Sequence, residues 1–321
     1  MRYIIYGAGA IGGVIGARLF TAGFDTVLIA RGAHLEAIKA KGLRVEMPDG
    51  PATLPIPAAG HPSELTFGAG DVVVLTMKTQ DTEAALVDLQ DACAAQELPV
   101  VCAQNGVENE RLALRRLARV YGMLVILPAT HMEPGVVEAT SSGVPGVLDA
   151  GCFPEGCDHL IMKVCADLEK AGFRARPDER IMRLKYAKLL GNLNNTLQAA
   201  VGNARAGDIS RMLANEAIAC YRAAGIDWAP NDEMASLRRG MVAGGGRQGS
   251  STWQSLARGA GSIETDYLNG EIALLGRLHG VPTPANVAMQ RIGRRLLVEG
   301  RPPGSMSPED VMREIEAASA K

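Results

Sequence analysis

Apolar residues along the first half of the chain fall into short continuous runs separated by longer helical patterns. Residues 3–6 form one such run, the pattern of a parallel strand buried on both faces. A helical pattern follows and stops at Gly23, a natural C-terminal glycine. Residues 26–30 predict a second buried strand, and a second helix runs from about 34 to 41 before Gly42. Residues 72–77 predict another strand, with a helix beginning near Asp81. Residues 100–103, entered from Pro99, and residues 124–127 continue the series. This alternation of strand and helix implies a parallel, doubly wound sheet. Residues 136–139 and 144–148 predict strands of an added sheet edge, and a helix over 160–171 ends at Gly172.

From about Pro177 the strand pattern vanishes. Asp178 can cap a long helix containing residues 183–200, and further helices are predicted over 209–224, 231–242 and 264–278, then after Pro284. Gly244, Gly245 and Gly246 form a flexible break. Ser307 as N-cap, Pro308 at the first helical position, and Glu309 and Asp310 in the first turn announce a terminal helix. The expected division is an α/β domain over 1–175 and an all-helical domain over 176–321.

The 321 residues carry 47% hydrophobic and 21% charged side chains, ordinary for a globular chain with a sizeable core. A net charge of -2 without a basic stripe argues against nucleic acid as a partner. No apolar run is long enough to span a bilayer, and the start reads as a strand and a glycine turn rather than a leader, so a cytoplasmic protein is expected. The six cysteines form no CxxC pair and have no histidine at zinc-site spacing, so they read as reduced thiols and no metal site is assigned.

Gly7-Ala8-Gly9-Ala10-Ile11-Gly12 is G-x-G-x-x-G, placed directly after a predicted strand and opening a predicted helix. Gly7 permits the tight turn, Gly9 lets backbone approach a pyrophosphate, and Gly12 lets helix and strand pack closely. The helix N-terminus then offers N–H groups and a positive dipole end to phosphates. This is the signature of a Rossmann dinucleotide-binding domain. NAD-selective folds place an acidic residue at the end of the second strand. Here that position is Arg31, which suits the 2′-phosphate of NADP(H).

Further motifs follow in order: Lys78 after the strand 72–77; Gln104-Asn105-Gly106 after the strand 100–103; Lys188-Leu189-Leu190-Gly191-Asn192; Ser250-Ser251-Thr252-Trp253-Gln254; and Glu264 to Gly270. With the glycine loop, this ordered set resembles the ketopantoate reductase (2-dehydropantoate 2-reductase) family over nearly the whole chain. The resemblance implies a Rossmann domain joined to a helical domain, and NADPH-dependent reduction of a 2-oxo acid, 2-dehydropantoate to (R)-pantoate in pantothenate biosynthesis. It implies Lys188 as the general acid, Lys78 and Asn105 contacting cofactor and substrate, Glu264 beside the nicotinamide and the substrate hydroxyl, and Asn192 and Ser251 holding the substrate. Thr196 and Leu197 stand where family members with the best-defined substrate have asparagine and proline. A reductase for another 2-oxo acid, and a non-catalytic NADP(H)-binding sensor, are therefore the alternatives. A homodimer is one admissible assembly.

The residues also carry their own logic. Lys188, Asn192 and Thr196 are spaced i, i+4, i+8, which predicts one polar helical face able to donate to a carboxylate and a carbonyl. A lysine there can protonate the nascent alkoxide if desolvation lowers its pKa, or it is a solvated surface lysine. Lys185, three residues earlier, is the other lysine able to serve. Glu264 lies in the first turn of a helix if Ser262 is its N-cap, a position that favours a carboxylate with or without a ligand. Lys78 follows a strand end, where open α/β sheets bind ligands, or simply starts a surface helix. Asn105-Gly106 is equally a turn signal. His131 reads as structural.

Overall fold

The computed structural model describes residues 1–48, 50–93, 97–243 and 249–319. The chain divides into two compact units, Met1–Lys185 with Asn231–Arg247, and Tyr186–Pro230 with Gln248–Lys321. The first unit thus extends past residue 175 and takes back a later stretch of chain.

The first unit is built on a seven-stranded sheet. From edge to edge it runs Ala150–Cys152, Val120–Met123, Val100–Cys102, Asp71–Leu75, Arg2–Tyr6, Asp25–Ile29 and Ala58–Ala59. All neighbours pair in parallel except the edge strand Ala150–Cys152, which is antiparallel to Val120–Met123. The chain runs outward from the opening strand to one side, then crosses back to Asp71–Leu75 and proceeds to the other. Strand order therefore reverses between Arg2–Tyr6 and Asp71–Leu75, and ligands of such sheets bind outside the carboxyl ends at that point.

The apolar run at 3–6 is explained by the two faces of this sheet. Tyr3 and Ile5 pack into one buried cluster, and Ile4 into another with Val73, Leu75 and Val100. Alternate side chains point to opposite faces, so a strand covered on both sides must be apolar throughout. Full burial of each such isoleucine is worth about 1.5–3 kcal/mol. The Tyr3 hydroxyl donates to buried Asp167 at 2.9 Å, and the Tyr6 hydroxyl to Asp88 at 3.4 Å.

Several expected strands move. The run 120–127 is apolar throughout, and the pairing with Val100–Cys102 selects Val120–Met123 instead of 124–127. Strand Val136–Ala139 exists, but joins Leu43–Glu46, Ala52–Leu54 and Ala129–Thr130 in a separate four-stranded sheet rather than extending the main one. Within 144–148 only Val147 pairs, through isolated bridges to Ile126 and Arg174. Strands do not end at residue 177, because Met241–Ala243 pairs antiparallel with Ser141–Gly143. The helix expected over 231–242 is accordingly the shorter Asn231–Leu237. The glycines 244–246 lie outside the described residues.

The second unit is helical throughout its described residues, apart from loops. Helices Gly207–Ala224 and Asn269–His279 each end on a glycine in left-handed conformation, Gly225 and Gly280, which relieves the last carbonyls. Leu213, Ala217, Ile272, Met289 and Ile292 are fully buried. The terminal helix Pro308–Ser319 starts as its sequence predicts. Asp310 N donates to Ser307 Oγ at 3.1 Å, and Ser307 N donates back to Asp310 Oδ2 at 3.1 Å, a reciprocal cap. Among the described residues, no helix is long and apolar enough to cross a membrane, and no group of His, Cys, Asp or Glu is placed to hold a metal ion.

Candidate active site

In the first unit, strand Arg2–Tyr6 turns at once into helix Ala10–Thr21 through Gly7, Ala8 and Gly9. Each glycine has a distinct reason. Gly7 has φ +106°, and a Cβ there would lie 2.8 Å from Met77 N. A Cβ on Gly12 would lie 2.4 Å from both the Gly7 carbonyl oxygen and Thr76 Oγ1. A Cβ on Gly9 would meet no atom within 4 Å. Gly7 and Gly12 are thus demanded by the fold, whereas Gly9 faces open space, as close approach of a pyrophosphate requires. Ala10, Ile11 and Gly12 open the helix, whose first N–H groups have no intrahelical acceptor.

The loop is fixed from below. Gly7 N and Ala8 N both donate to Ile29 O, at 3.0 and 3.1 Å, and Thr76 Oγ1 donates to Gly7 O at 2.7 Å. The Ala8 carbonyl meets His34 Nε2 at 2.7 Å, while Gly135 N donates to His34 Nδ1 at 2.8 Å. The imidazole is thereby held in one neutral tautomer, and burial lowers its pKa below the ordinary value. His131 packs on it with ring centroids 4.2 Å apart. Arg31 follows strand Asp25–Ile29 with its side chain 84% exposed, 3.4 Å from Asp81 Oδ1.

Lys78 and Asn105 lie past the carboxyl ends of Asp71–Leu75 and Val100–Cys102, half-buried in two neighbouring loops. A buried polar network clamps these loops together. Gln104 Nε2 donates to Met77 O at 3.1 Å and to Thr82 Oγ1 at 2.7 Å. Thr82 Oγ1 donates to Asn109 Oδ1 at 2.8 Å, and Asn109 Nδ2 donates to Asn105 O at 3.0 Å. Thr79, Thr82, Gln104 and Asn109 are all buried. The Asn-Gly pair is a real turn, with Gly106 at φ +79°, and also the place where a half-exposed amide is presented.

In the second unit, Lys188 and Asn192 are half-buried, one turn apart on helix Ile181–Asn192. Among the described residues, Asn192 Nδ2 is buried without a hydrogen-bond partner, an amide left available to a ligand. The expected stripe does not extend to Thr196. The helix is interrupted at Leu193, whose carbonyl accepts from Asn269 Nδ2 at 3.1 Å, and eight residues of helix overshoot two turns by about 80°. Thr196 is fully buried, with its hydroxyl 2.8 Å from that of Thr265. Its expected direct contact with substrate is therefore replaced by a role in packing.

Ser251 opens helix Ser251–Ala257, capped by Ser250. Asn195 Nδ2 donates to Ser251 Oγ at 3.2 Å, and Ser250 Oγ donates to Asn195 O at 2.9 Å. The Ser251 oxygen is thus oriented by an amide, which leaves its proton to be donated elsewhere. Glu264 is 8% exposed. It does not sit in the first turn of an α-helix behind Ser262, since it immediately precedes the single 3-10 turn Thr265–Tyr267, and the α-helix starts only at Asn269.

The candidate residues therefore form two sets. Gly7 to Gly12, Arg31, Lys78 and Asn105 belong to the first unit, and Lys188, Asn192, Thr196, Ser251 and Glu264 to the second. Sequence reasoning missed His34, Gln104, Asn109 and Asn195 as supporting groups. Two of them carried a local signal: Gln104 stands in the motif Gln104-Asn105-Gly106, and Asn195 in the run Asn192-Leu193-Asn194-Asn195 that is too polar for an ordinary helix.

Comparison with known proteins gives a consistent result. The family Ketopantoate reductase PanE/ApbA matches residues 3–155, and its C-terminal counterpart matches residues 180–295. The 2-dehydropantoate 2-reductase of Mesorhizobium japonicum is 34% identical, covering 93% of this chain and 98% of the relative. That of Pyrococcus horikoshii is 28% identical, covering 89% and 94%. The crystal structure of a PanE/ApbA family ketopantoate reductase from Ralstonia eutropha JMP134 superposes with a TM-score of 0.79 at 30% identity, covering 94% of this chain and all of that one. A D-mandelate dehydrogenase solved with NADH and anilino(oxo)acetate has a TM-score of 0.81 at 22% identity, covering 94% of this chain and 99% of that one, a likeness of fold alone.

Proposed function

Because this chain belongs to the ketopantoate reductase PanE/ApbA family, we propose that it is an NADPH-dependent oxidoreductase that reduces the 2-oxo acid 2-dehydropantoate to (R)-pantoate, a step of pantothenate biosynthesis. The observation that carries this reading is the glycine loop at the strand-order reversal, with open space at Gly9 and tight packing at Gly7 and Gly12. That arrangement fits a dinucleotide.

In this reading the loop from Gly7 through Ala8, Gly9, Ala10 and Ile11 to Gly12 holds the pyrophosphate, and Arg31 holds the 2′-phosphate. NADPH, when bound, supplies a hydride to the carbonyl carbon. Lys188 supplies the proton to the carbonyl oxygen, so that C=O becomes CH–OH. Lys78 and Asn105 contact cofactor and substrate. Asn192 and Ser251 hold the substrate through an unpaired amide and an oriented hydroxyl, and Thr196 packs against Thr265. Glu264 lies beside the nicotinamide and the product hydroxyl. The enzyme is assigned to the cytoplasm, in keeping with six free cysteines. A homodimer is the simplest assembly to test by light scattering.

The direct test follows NADPH absorbance while the protein is offered a panel of 2-oxo acids. Oxidation of NADPH with the highest kcat/KM for 2-dehydropantoate is expected. Turnover that favours another oxo acid would support the second reading, a related reductase, which the inward commitment of Thr196 to Thr265 favours. NADPH binding without turnover on any member would leave a cofactor-binding sensor.

A further inference from the structure

Lys185 and Glu110 form an ion pair with side chains 3% and 0% exposed, inside the first unit. Besides the carboxylate, the Lys185 ammonium donates to the carbonyl oxygens of Gln104 at 3.2 Å and of Cys102 at 3.4 Å. An ammonium has three protons, and here each has an acceptor. Lys185 is therefore committed to the interior and is not a second candidate for proton donor. Burial pushes the Glu110 carboxyl above its ordinary value, and the Lys185 charge opposes that shift. Among the described residues, Glu110 Oε2 has no hydrogen-bond partner.

A pair of this kind is a poor way to gain stability. Desolvating two charges costs as much as their attraction returns, and apolar residues of similar volume often replace such a pair without loss. What an apolar pair cannot supply is a directed donor to a backbone oxygen. The two acceptors of Lys185 are the last residue of strand Val100–Cys102 and the residue immediately before Asn105. On the other side of Asn105, its own carbonyl accepts from Asn109 Nδ2 at 3.0 Å. Both peptide planes flanking the Asn105 Cα are thus pinned by side chains, which fixes its backbone dihedrals and the direction in which its side chain leaves.

We propose that Lys185 and Glu110 are positioning residues that, through the Gln104 carbonyl, aim Asn105 at the cofactor. The inference rests on the reading above only in taking Asn105 as a cofactor contact.

The test replaces both charges at once with Lys185→Met and Glu110→Leu, because either single change strands a buried charge or its partner. NADPH affinity is read by fluorescence titration, alongside melting temperature and kcat. The double variant should melt at or above the parent temperature and bind NADPH about tenfold more weakly, the scale of one lost charge-assisted hydrogen bond. Asn105→Ala is measured alone and in the double variant. If the pair acts through Asn105, the triple variant binds no worse than Asn105→Ala alone. A folded double variant with parental NADPH affinity and kcat overturns the proposal, and so does additivity in the triple variant. A double variant that fails to fold overturns it as well, since the pair would then serve stability. A parent that binds no NADPH would defeat the functional reading with it, whereas an Asn105→Ala effect without a pair effect defeats this inference alone.

Discussion

His34 reaches across to the middle of the glycine loop, its Nε2 2.7 Å from the carbonyl oxygen of Ala8. Gly135 N occupies its other nitrogen as a donor, so only the neutral ring satisfies both partners. Its folded pKa is lowered from 6.5, chiefly by burial. The unfolded chain therefore binds more protons just below that pH, and stability rises with pH there. The contribution of His34 is complete above about pH 6.5 and is lost as the pH falls toward the lower folded value. Melting curves between pH 5 and 8 should show this slope, and His34→Gln should flatten it. His34→Leu should cost about 1–3 kcal/mol, since it strands Ala8 O and Gly135 N. A slope unchanged in His34→Gln would assign it to other groups.

Gly9 and Gly12 should separate when each is changed to alanine. Gly12→Ala forces a methyl to 2.4 Å from backbone oxygen, and should lower both melting temperature and NADPH affinity. Gly9→Ala meets nothing in the protein. It should leave the melting temperature nearly unchanged while weakening NADPH strongly, because the methyl occupies the approach of the pyrophosphate. Calorimetry and a fluorescence titration on the two variants check the contrast, which fails if Gly9→Ala binds NADPH as the parent does.

Arg31 is well exposed, with a long contact to Asp81. Arg31→Asp should weaken NADPH much more than NADH, because it removes a charge-assisted bond to the 2′-phosphate and adds repulsion. Measuring both dissociation constants decides the matter. Equal losses would remove Arg31 from cofactor selection.

Lys188 should be the proton donor. Lys188→Ala is expected to lower the turnover rate roughly 10²–10⁴-fold, the worth of a positioned general acid, with NADPH affinity nearly unchanged. The parent rate should fall at alkaline pH, since the protonated form is required. Lys185 cannot serve as the control, because its loss would strand buried Glu110 at a cost of about 3–5 kcal/mol. Lys170, 68% exposed, is the suitable one, and Lys170→Ala should leave the rate within about twofold. Near-parental reduction of the best 2-oxo acid by folded, NADPH-loaded Lys188→Ala would sink the assignment.

What could be read in advance divides by the range of the physics. The glycine loop was legible because strand, turn and helix are neighbours in sequence, and each glycine answers to a local steric demand. Lys78 and Asn105 were legible as residues just past strand ends. Lys185 read as a second lysine able to donate the proton, because its partner Glu110 lies 75 residues away and leaves no local sign of the pairing. His34 was overlooked for the same reason, its donor Gly135 being 101 residues distant. Strands of three or four residues such as Ala52–Leu54 carry too few positions to show a period, and the pairing that creates them is non-local. Thr196 was expected on the face of Lys188, but the helix stops at Asn192 and a new one starts at Asn194, a break that the periodicity alone does not announce.

The pairing of Ser141–Gly143 with Met241–Ala243 has a practical consequence for anyone wishing to take the protein apart. The backbone passes between the two units at three places, after Lys185, after Pro230 and after Arg247. No single cut releases either unit whole. A fragment ending at residue 175 or 185 would leave Ser141–Gly143 as a bare edge, inviting pairing with other chains. The remaining fragment would carry an orphaned strand with nothing of its own to lie against. An isolated first unit needs residues 231–247 grafted back, by a linker or a circular permutation.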